Sequence, residues 1–170
     1  MCKKCQKRYL RPKIRKKDNI VSFYDYETIE HLIKYKYHKF GNRVFKILAQ
    51  NSLKYLAGEI KESFYVIPVD DKTKKGFSHT AVLAHEMKTE FIKPLYRSLL
   101  SSSNVQYAGK SLEFRLKNPR NFIYKGKSGI DVILIDDIAT TGLTLNEAKE
   151  CLLENGVNVV LSAVLANLKK

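Results

Sequence analysis

Tryptophan is missing from this 170-residue chain, and proline, glycine and cysteine are sparse, at 4, 8 and 3 residues. So little proline and glycine excludes collagenous and low-complexity architectures, and a hydrophobic content of 44% is enough for a packed core. Three unevenly spaced cysteines cannot build a disulfide framework. No stretch approaches the ~20 uninterrupted apolar residues of a membrane-spanning helix. The basic N-terminus runs into further charge and not into an apolar segment, which argues against a secretory signal. A chain of this length is one domain with room for a small appendage. The expectation is a cytoplasmic protein.

Acidic residues are the other shortage. Seventeen Asp and Glu against 31 Lys and Arg leave a net charge of +14. The excess is uneven: residues 1–62 hold 16 basic and 6 acidic side chains, and residues 63–170 hold 15 and 11. The first 17 residues contain nine Lys or Arg and no acid. Such a surface concentrates polyanions and favours phosphate contacts that read no sequence. Nucleic acid is the leading partner and the anionic inner face of a membrane the second, against the plainer alternative of a solvated basic face.

Composition divides the chain into a basic tail (1–17) containing Cys2 and Cys5, a middle stretch (18–62), and a remainder (63–170). The middle stretch opens with the strand-like run Ile20–Tyr24. Helical spacing follows at Ile29, Leu32, Ile33, Tyr37 and Phe40. Gly41 breaks that run, and a second amphipathic stretch uses Val44, Leu48, Tyr55 and Leu56. From residue 64 strands alternate with helices. Phe64–Val69, Asp131–Ile135 and Val157–Leu165 read as buried strands. His79, Leu83, Ala84 and Met87 suit a helix, and Leu145–Asn155 a second one stopped by Gly156. Residues 97–121 form a long polar connection of the kind that carries function. Strand, crossover helix and strand imply a mostly parallel sheet covered on both faces.

The chemistry is concentrated in Asp131–Thr144. A buried strand delivers Asp136 and Asp137 at its C-terminal end, a short loop of hydroxyl residues and one glycine follows, and a helix begins. Thr144 with Glu147 three positions later fits a capping box. The loop thus sits on a helix N-terminus, where unpaired N–H groups and the helix dipole favour an anion. Gly142 permits close backbone approach, and the hydroxyls of Thr140, Thr141 and Thr144 add donors. Two carboxylates beside a phosphate repel it unless they hold hydroxyls or a divalent cation. A phosphorylated sugar meets both demands.

Residues 133–144, Ile-Leu-Ile-Asp-Asp-Ile-Ala-Thr-Thr-Gly-Leu-Thr, resemble the phosphoribosyl pyrophosphate signature of type I phosphoribosyltransferases. The N-terminal Cys-x-x-Cys with its basic stretch, Tyr24-Asp25-Tyr26, Lys36-Tyr37, Ile67-Pro68-Val69, Gly76-Phe77 and the spaced Arg115, Asn118 and Phe122 resemble the ComF family of competence proteins. The resemblance implies an α/β fold: a type I phosphoribosyltransferase-like parallel sheet flanked by helices, with a helical hood over residues 18–62 and the core over 63–170. It implies that Asp136 and Asp137 hold the ribose hydroxyls and that Ala139, Thr140, Thr141, Gly142, Leu143 and Thr144 cradle the 5′-phosphate. The loop from Asp70 to Gly76, with Lys72, Lys74 and Lys75, then faces pyrophosphate and Mg²⁺. Lys110 and Arg115 close over the leaving group. The implied role is DNA uptake in natural transformation, alongside a helicase-type partner.

Two departures from the family pattern stand out. Lysines replace the arginines usual in the pyrophosphate loop, which keeps charge but loses bidentate recognition, and Asp70 and Asp71 bring acids to a loop that should meet an anion. Those acids either bind the metal or mark decayed turnover. ComF proteins usually show two Cys-x-x-Cys pairs, a tetrahedral zinc set. Here only Cys2 and Cys5 are present, a partial zinc-finger remnant that leaves open a further pair upstream, a lost or intermolecular site, or a substitute ligand among His31, His38, His79 and His85. Cys151 reads as a small core residue.

Three functions remain open on this reading. One is a protein that binds phosphoribosyl pyrophosphate with Mg²⁺ and holds single-stranded DNA on its basic, aromatic-rich N-terminal half. Tyr9 and Tyr35 are the exposed stacking rings there, and Phe23 and Phe40 belong to the core. The second is a nucleobase salvage phosphoribosyltransferase. The third is a non-catalytic nucleotide sensor that binds nucleic acid.

Overall fold

A computed structural model describes residues 2–70, 72–73, 76–103, 105 and 111–168. A short helix α1 (Lys3–Tyr9) precedes a hairpin of β1 (Arg15–Lys17) and β2 (Ile20–Tyr24). Asp18 and Asn19 turn it with φ of 51° and 58°, the left-handed pair that a two-residue hairpin needs and that Asp and Asn tolerate best. α2 (Tyr26–Ile33), a 3-10 turn (Lys34–Tyr37), α3 (Gly41–Gln50) and α4 (Leu53–Glu59) lead to β3 (Phe64–Pro68). Then come α5 (His79–Glu86), β4 (Ile92–Pro94), β5 (Leu99–Ser101), α6 (Leu112–Lys117), β6 (Phe122–Tyr124), β7 (Ile130–Ala139), α7 (Leu143–Glu154) and β8 (Val157–Asn167).

The main sheet runs β1-β2-β8-β7-β3-β4, and every pairing from β2 to β4 is parallel. Only the edge strand β1 is antiparallel. β5 and β6 pair separately. The alternation of β7 explains its continuous apolar run. Ile133 and Ile135 face one core with Phe23, Phe45, Leu48, Leu83 and Met87. Val132 and Leu134 face the other with Ile67, Leu99, Leu145 and Leu152. Both faces are covered, so the strand has no solvent side on which to place polar residues.

Several expected boundaries move. The run Ile20–Tyr24 joins the main sheet beside β8, and all five of its residues are buried. The helix expected to reach Phe40 ends at Ile33 and tightens into the 3-10 turn. Gly41 does not merely break a helix; it begins the next one. A Cβ there would lie 2.0 Å from the Tyr35 carbonyl oxygen and 2.6 Å from the Phe77 ring. Glycine is what lets the 3-10 turn seat on α3. The second amphipathic stretch is two helices, divided where Ser52 Oγ donates to the Leu48 carbonyl at 2.7 Å. The long connection 97–121 contains β5 and α6 among its described residues.

Candidate functional site

The crevice lies where the sheet changes hands. The connection leaving β3 runs through α5 on the face of Leu83, and the connection leaving β7 runs through α7 on the opposite face, with Leu145. Adjacent parallel strands whose connections part in this way leave a cleft at their carboxyl ends. The last β3–β7 pairing is Pro68 with Ile135, yet β7 continues to Ala139. The four extra residues stand above the end of β3, and the first two are Asp136 and Asp137. Their backbone is satisfied locally: the Asp137 N–H donates to Asp136 Oδ1 at 2.8 Å, and the Ile138 N–H to Asp137 Oδ1 at 2.9 Å. The acids therefore lie inside the strand, where the sequence pattern had put them just at its end.

Both carboxylates are buried, at 9% and 5% exposure, on the wall of a cleft of about 870 Å³. Their charge states are pulled apart. Burial, reinforced by the charge of Asp137, pushes the Asp136 carboxyl well above the usual carboxylate range. Burial alone would push Asp137 the same way, but the Lys36 ammonium and His79 outweigh it and hold Asp137 below that range. Lys36 Nζ donates to Asp137 Oδ2 at 2.8 Å, and His79 Nε2 lies 3.7 Å from the same oxygen. Burial would lower the Lys36 ammonium, yet the charge and hydrogen bond of Asp137 leave it raised. Lys36 and Asp137 form an ion pair, with the Asp136 carboxyl buried directly beside it.

Ala139, Thr140, Gly142, Leu143 and Thr144 line the same cleft. Gly142 has φ of 81° and is the N-cap of α7, with no side chain capping it. The capping box does not form, because the helix is capped at Gly142 and Thr144 lies inside its first turn; Thr144 and Glu147 bond to Arg120 instead. The Arg120 N–H donates to Glu147 Oε2 at 2.7 Å and its Nε to Thr144 Oγ1 at 3.2 Å. Arg115, at the end of α6, donates from NH1 to Thr140 Oγ1 at 3.0 Å. Thr141 Oγ1 accepts from the Leu143 N–H at 3.4 Å. The helix start and its hydroxyls thus face the cleft with two guanidinium groups laid against them.

Lys72 Nζ lies 3.9 Å from Asp70 Oδ1. Lys74, Lys75, Asp71 and Lys110 lie outside the described residues. Cys2, the N-cap of α1, is an exposed free thiol, and Cys5, within α1, is a half-buried one. Hydrogen bonds from the backbone and thiol of Cys5 lower the Cys2 thiol, and Cys5 is correspondingly raised. Among the described residues, His79, Asp136 and Asp137 form the only group of three metal-capable side chains, with ligand atoms within 4.8 Å. None of the four histidines completes a set with Cys2 and Cys5, so the zinc reading gains no third ligand. The carboxylate pair does fit a hard divalent cation such as Mg²⁺ by donor type, with Lys36 already holding the cationic place at Asp137. Lys36, His79 and Arg120 enter the site from distant segments; Lys36 figures in the family resemblance and His79 among the candidate zinc ligands, but nothing in the sequence places them, or Arg120, at this cleft.

Residues 55–170 match the family described as phosphoribosyl transferase domain, and the chain belongs to that family. It is 32% identical over 99 residues to competence protein ComFC of Bacillus subtilis, a match covering 55% of this chain and 40% of that protein. It is 31% identical over 100 residues to adenine phosphoribosyltransferase of Bordetella parapertussis, covering 55% of this chain and 49% of that one. The chain spans about half the length of these curated relatives. The crystal structure of a phosphoribosyltransferase from Corynebacterium diphtheriae shares the fold, with a TM-score of 0.50 at 14% identity, over 84% of this chain and 92% of that one. The fold expected from residues 133–144 is the fold observed, and the ComF resemblance has its counterpart in the Bacillus protein.

Proposed function

We propose that this chain is a ComFC-type protein that binds phosphoribosyl pyrophosphate with Mg²⁺ and single-stranded DNA, and that it serves DNA uptake. The observation that carries the ligand is the placement, on one cleft wall, of two buried carboxylates directly before a helix N-terminus rich in hydroxyls. The carboxylates accept from the ribose diol, and the backbone N–H groups of Gly142–Leu145 with Thr140 and Thr144 take the 5′-phosphate. Asp136 and Asp137 would also hold Mg²⁺, which neutralises diphosphate charge when bound. Transfer at the anomeric carbon proceeds through a cation-like transition state. The protein's task is then to stabilise the departing diphosphate and exclude water. Arg115 and Arg120, already on the cleft wall, supply the positive charge. Calorimetric titration of the folded chain with phosphoribosyl pyrophosphate, with and without Mg²⁺, tests this; absence of binding would leave the signature as scaffold only.

For the nucleic acid, the support is a set of exposed rings each paired with a cation. Arg8 lies 5.5 Å from the Tyr9 ring centroid, Lys36 5.6 Å from Tyr37, and Arg43 5.9 Å from Phe40. Phe40, expected in the core, is 68% exposed, whereas Phe23 is buried as expected. Stacking on such rings with lysine and arginine tracking the phosphates is sequence-tolerant single-strand binding. The edge strand β1 adds Arg15, Lys16 and Lys17, all exposed. Affinity for a labelled oligonucleotide should fall steeply with salt; a flat salt response would remove this half of the proposal. A helicase-type partner and a place at the inner face of the membrane follow from the DNA-uptake role. Among the described residues no helix is long and apolar enough to cross a membrane.

The 31% identity to an adenine phosphoribosyltransferase favours a second reading, nucleobase salvage. Pyrophosphate release on adding adenine, and not on adding DNA, would select it.

A further inference from the structure

We infer that Asp70 is an internal counter-anion, seated in an anion subsite that an incoming diphosphate must take from it. The inference deepens the proposed phosphoribosyl pyrophosphate reading and rests on it for the identity of the ligand. An acid at the end of β3 is adverse for a loop that meets pyrophosphate, and its contacts explain its presence. Its side chain is only 15% exposed. Oδ1 accepts from the Ser101 N–H at 2.9 Å, Lys72 Nζ lies 3.9 Å from Oδ1, and Arg120 NH1 lies 3.6 Å from Oδ2. One backbone N–H and two cations, from three separate segments, converge on a two-oxygen anion. That is the donor set by which proteins hold a phosphate. Asp70 reaches it with φ of 47°, a left-handed conformation that aspartate tolerates better than most residues.

Among the described residues the metal-capable group in the cleft is His79, Asp136 and Asp137, without Asp70, and both Asp70 oxygens are turned instead to an N–H and two cations. Asp70 also has a counterpart of opposite sign across the same cleft. Lys36 occupies the carboxylate Asp137 as Asp70 occupies the cations Lys72 and Arg120. The resting cleft is neutralised from within at both poles. A diphosphate ligand then gains the Ser101 N–H, Lys72 and Arg120 only as the Asp70 carboxylate leaves them, and its affinity is reduced by that exchange.

The test is calorimetric titration of the full chain with inorganic pyrophosphate, with and without Mg²⁺, for the unaltered protein and for Asp70→Asn, Asp70→Ala and Asp70→Glu. Removing the charge should tighten pyrophosphate by about tenfold or more in the Asn and Ala variants, while the Glu variant stays as weak as the parent. Asp70→Asn retains an acceptor for the Ser101 N–H and carries the result if the Ala variant unfolds. Affinity that is unchanged or weaker in Asp70→Asn overturns the inference. So does a loss confined to the Mg²⁺ titration, which would make Asp70 a metal ligand. Failure of every form to bind pyrophosphate overturns it as well. Binding of phosphoribosyl pyrophosphate to the unaltered chain, measured separately, decides the reading of the site itself, so the two can fail independently.

Discussion

The two walls of the cleft are built in opposite ways. One wall, Asp136 to Leu145, is a single stretch of chain in which a strand, a loop and a helix start follow each other without interruption. The facing wall is assembled from Lys36, Asp70, His79, Ser101 and Arg120, drawn from the hood turn, three loop or helix starts and a strand end. The contiguous wall offers a fixed set of donors and acceptors, because its backbone N–H groups and adjacent carboxylates are placed by secondary structure alone. The assembled wall sets the charge state of those groups: Lys36 and His79 keep Asp137 ionised, while Asp136, whose burial outweighs the cations around it, is pushed up. A ligand site can therefore be specified locally while its resting electrostatics depend on the whole fold.

The contrast can be broken most directly by removing the contiguous wall's acids. Asp136→Ala with Asp137→Ala should weaken phosphoribosyl pyrophosphate by about 2 to 4 kcal/mol, two charge-assisted hydrogen bonds' worth, read by calorimetry. Unchanged affinity would show that the diol is held elsewhere. On the assembled wall, Lys36→Met should lower stability by about 3 kcal/mol in denaturant unfolding, since it leaves Asp137 buried without its cation. That is the lower end for breaking a buried pair, because the Lys36 side chain keeps 23% exposure. A loss below ~1 kcal/mol would mean that His79 or water takes over.

Gly41→Ala tests whether the hood turn must seat where it does. The added carbon meets the Tyr35 carbonyl at 2.0 Å, so a cost of about 1 to 3 kcal/mol is expected, together with weaker ligand binding through displaced Lys36. Loss of stability with unchanged binding would uncouple the hood from the site. Gly142→Ala should cost about 1 to 2 kcal/mol, because φ of 81° places a side chain in the left-handed region. The smallest effect is a pH slope. A carboxyl raised in the folded state keeps a proton there that the unfolded chain releases, so Asp136 makes stability fall as pH rises from about 4 towards its raised value. Asp137, held low, acts the other way: its contribution is full above about pH 4 and is lost as pH falls through its depressed value. Asp136→Asn should flatten the slope above pH 4 and leave the acid limb in place, as followed by melting temperature against pH.

Much of the scaffold was legible because it is locally encoded. Continuous β-branched runs marked β3, β7 and β8, and Gly156, with φ of 71°, marked the end of α7. What failed locally did so for identifiable reasons. The Thr144–Glu147 spacing is a capping signal, but the helix is capped two residues earlier at Gly142, and Arg120, 24 residues from Thr144, engages Thr144 through its guanidinium and Glu147 through its backbone N–H. Phe40 looked like core by helical spacing, yet the helix ends at Ile33, the phase is lost through the 3-10 turn, and the ring points to solvent beside Arg43. The loop acids at 70 and 71 were ambiguous on charge alone; for Asp70 the tertiary structure supplies the partners that no local pattern could, the Ser101 N–H, Lys72 and Arg120.

By itself the sequence determined the parallel α/β scaffold and the order of carboxylates, hydroxyls and helix start over residues 136–144. Period, turn residues and the order carboxylates–hydroxyls–helix act over distances that the chain spans with its own hydrogen bonds. The tertiary structure alone decided that Lys36 would close on Asp137 across 101 positions and that β2 would extend the sheet beside β8. Packing brings those partners together, and their interaction falls off too steeply with distance for any local pattern to register it.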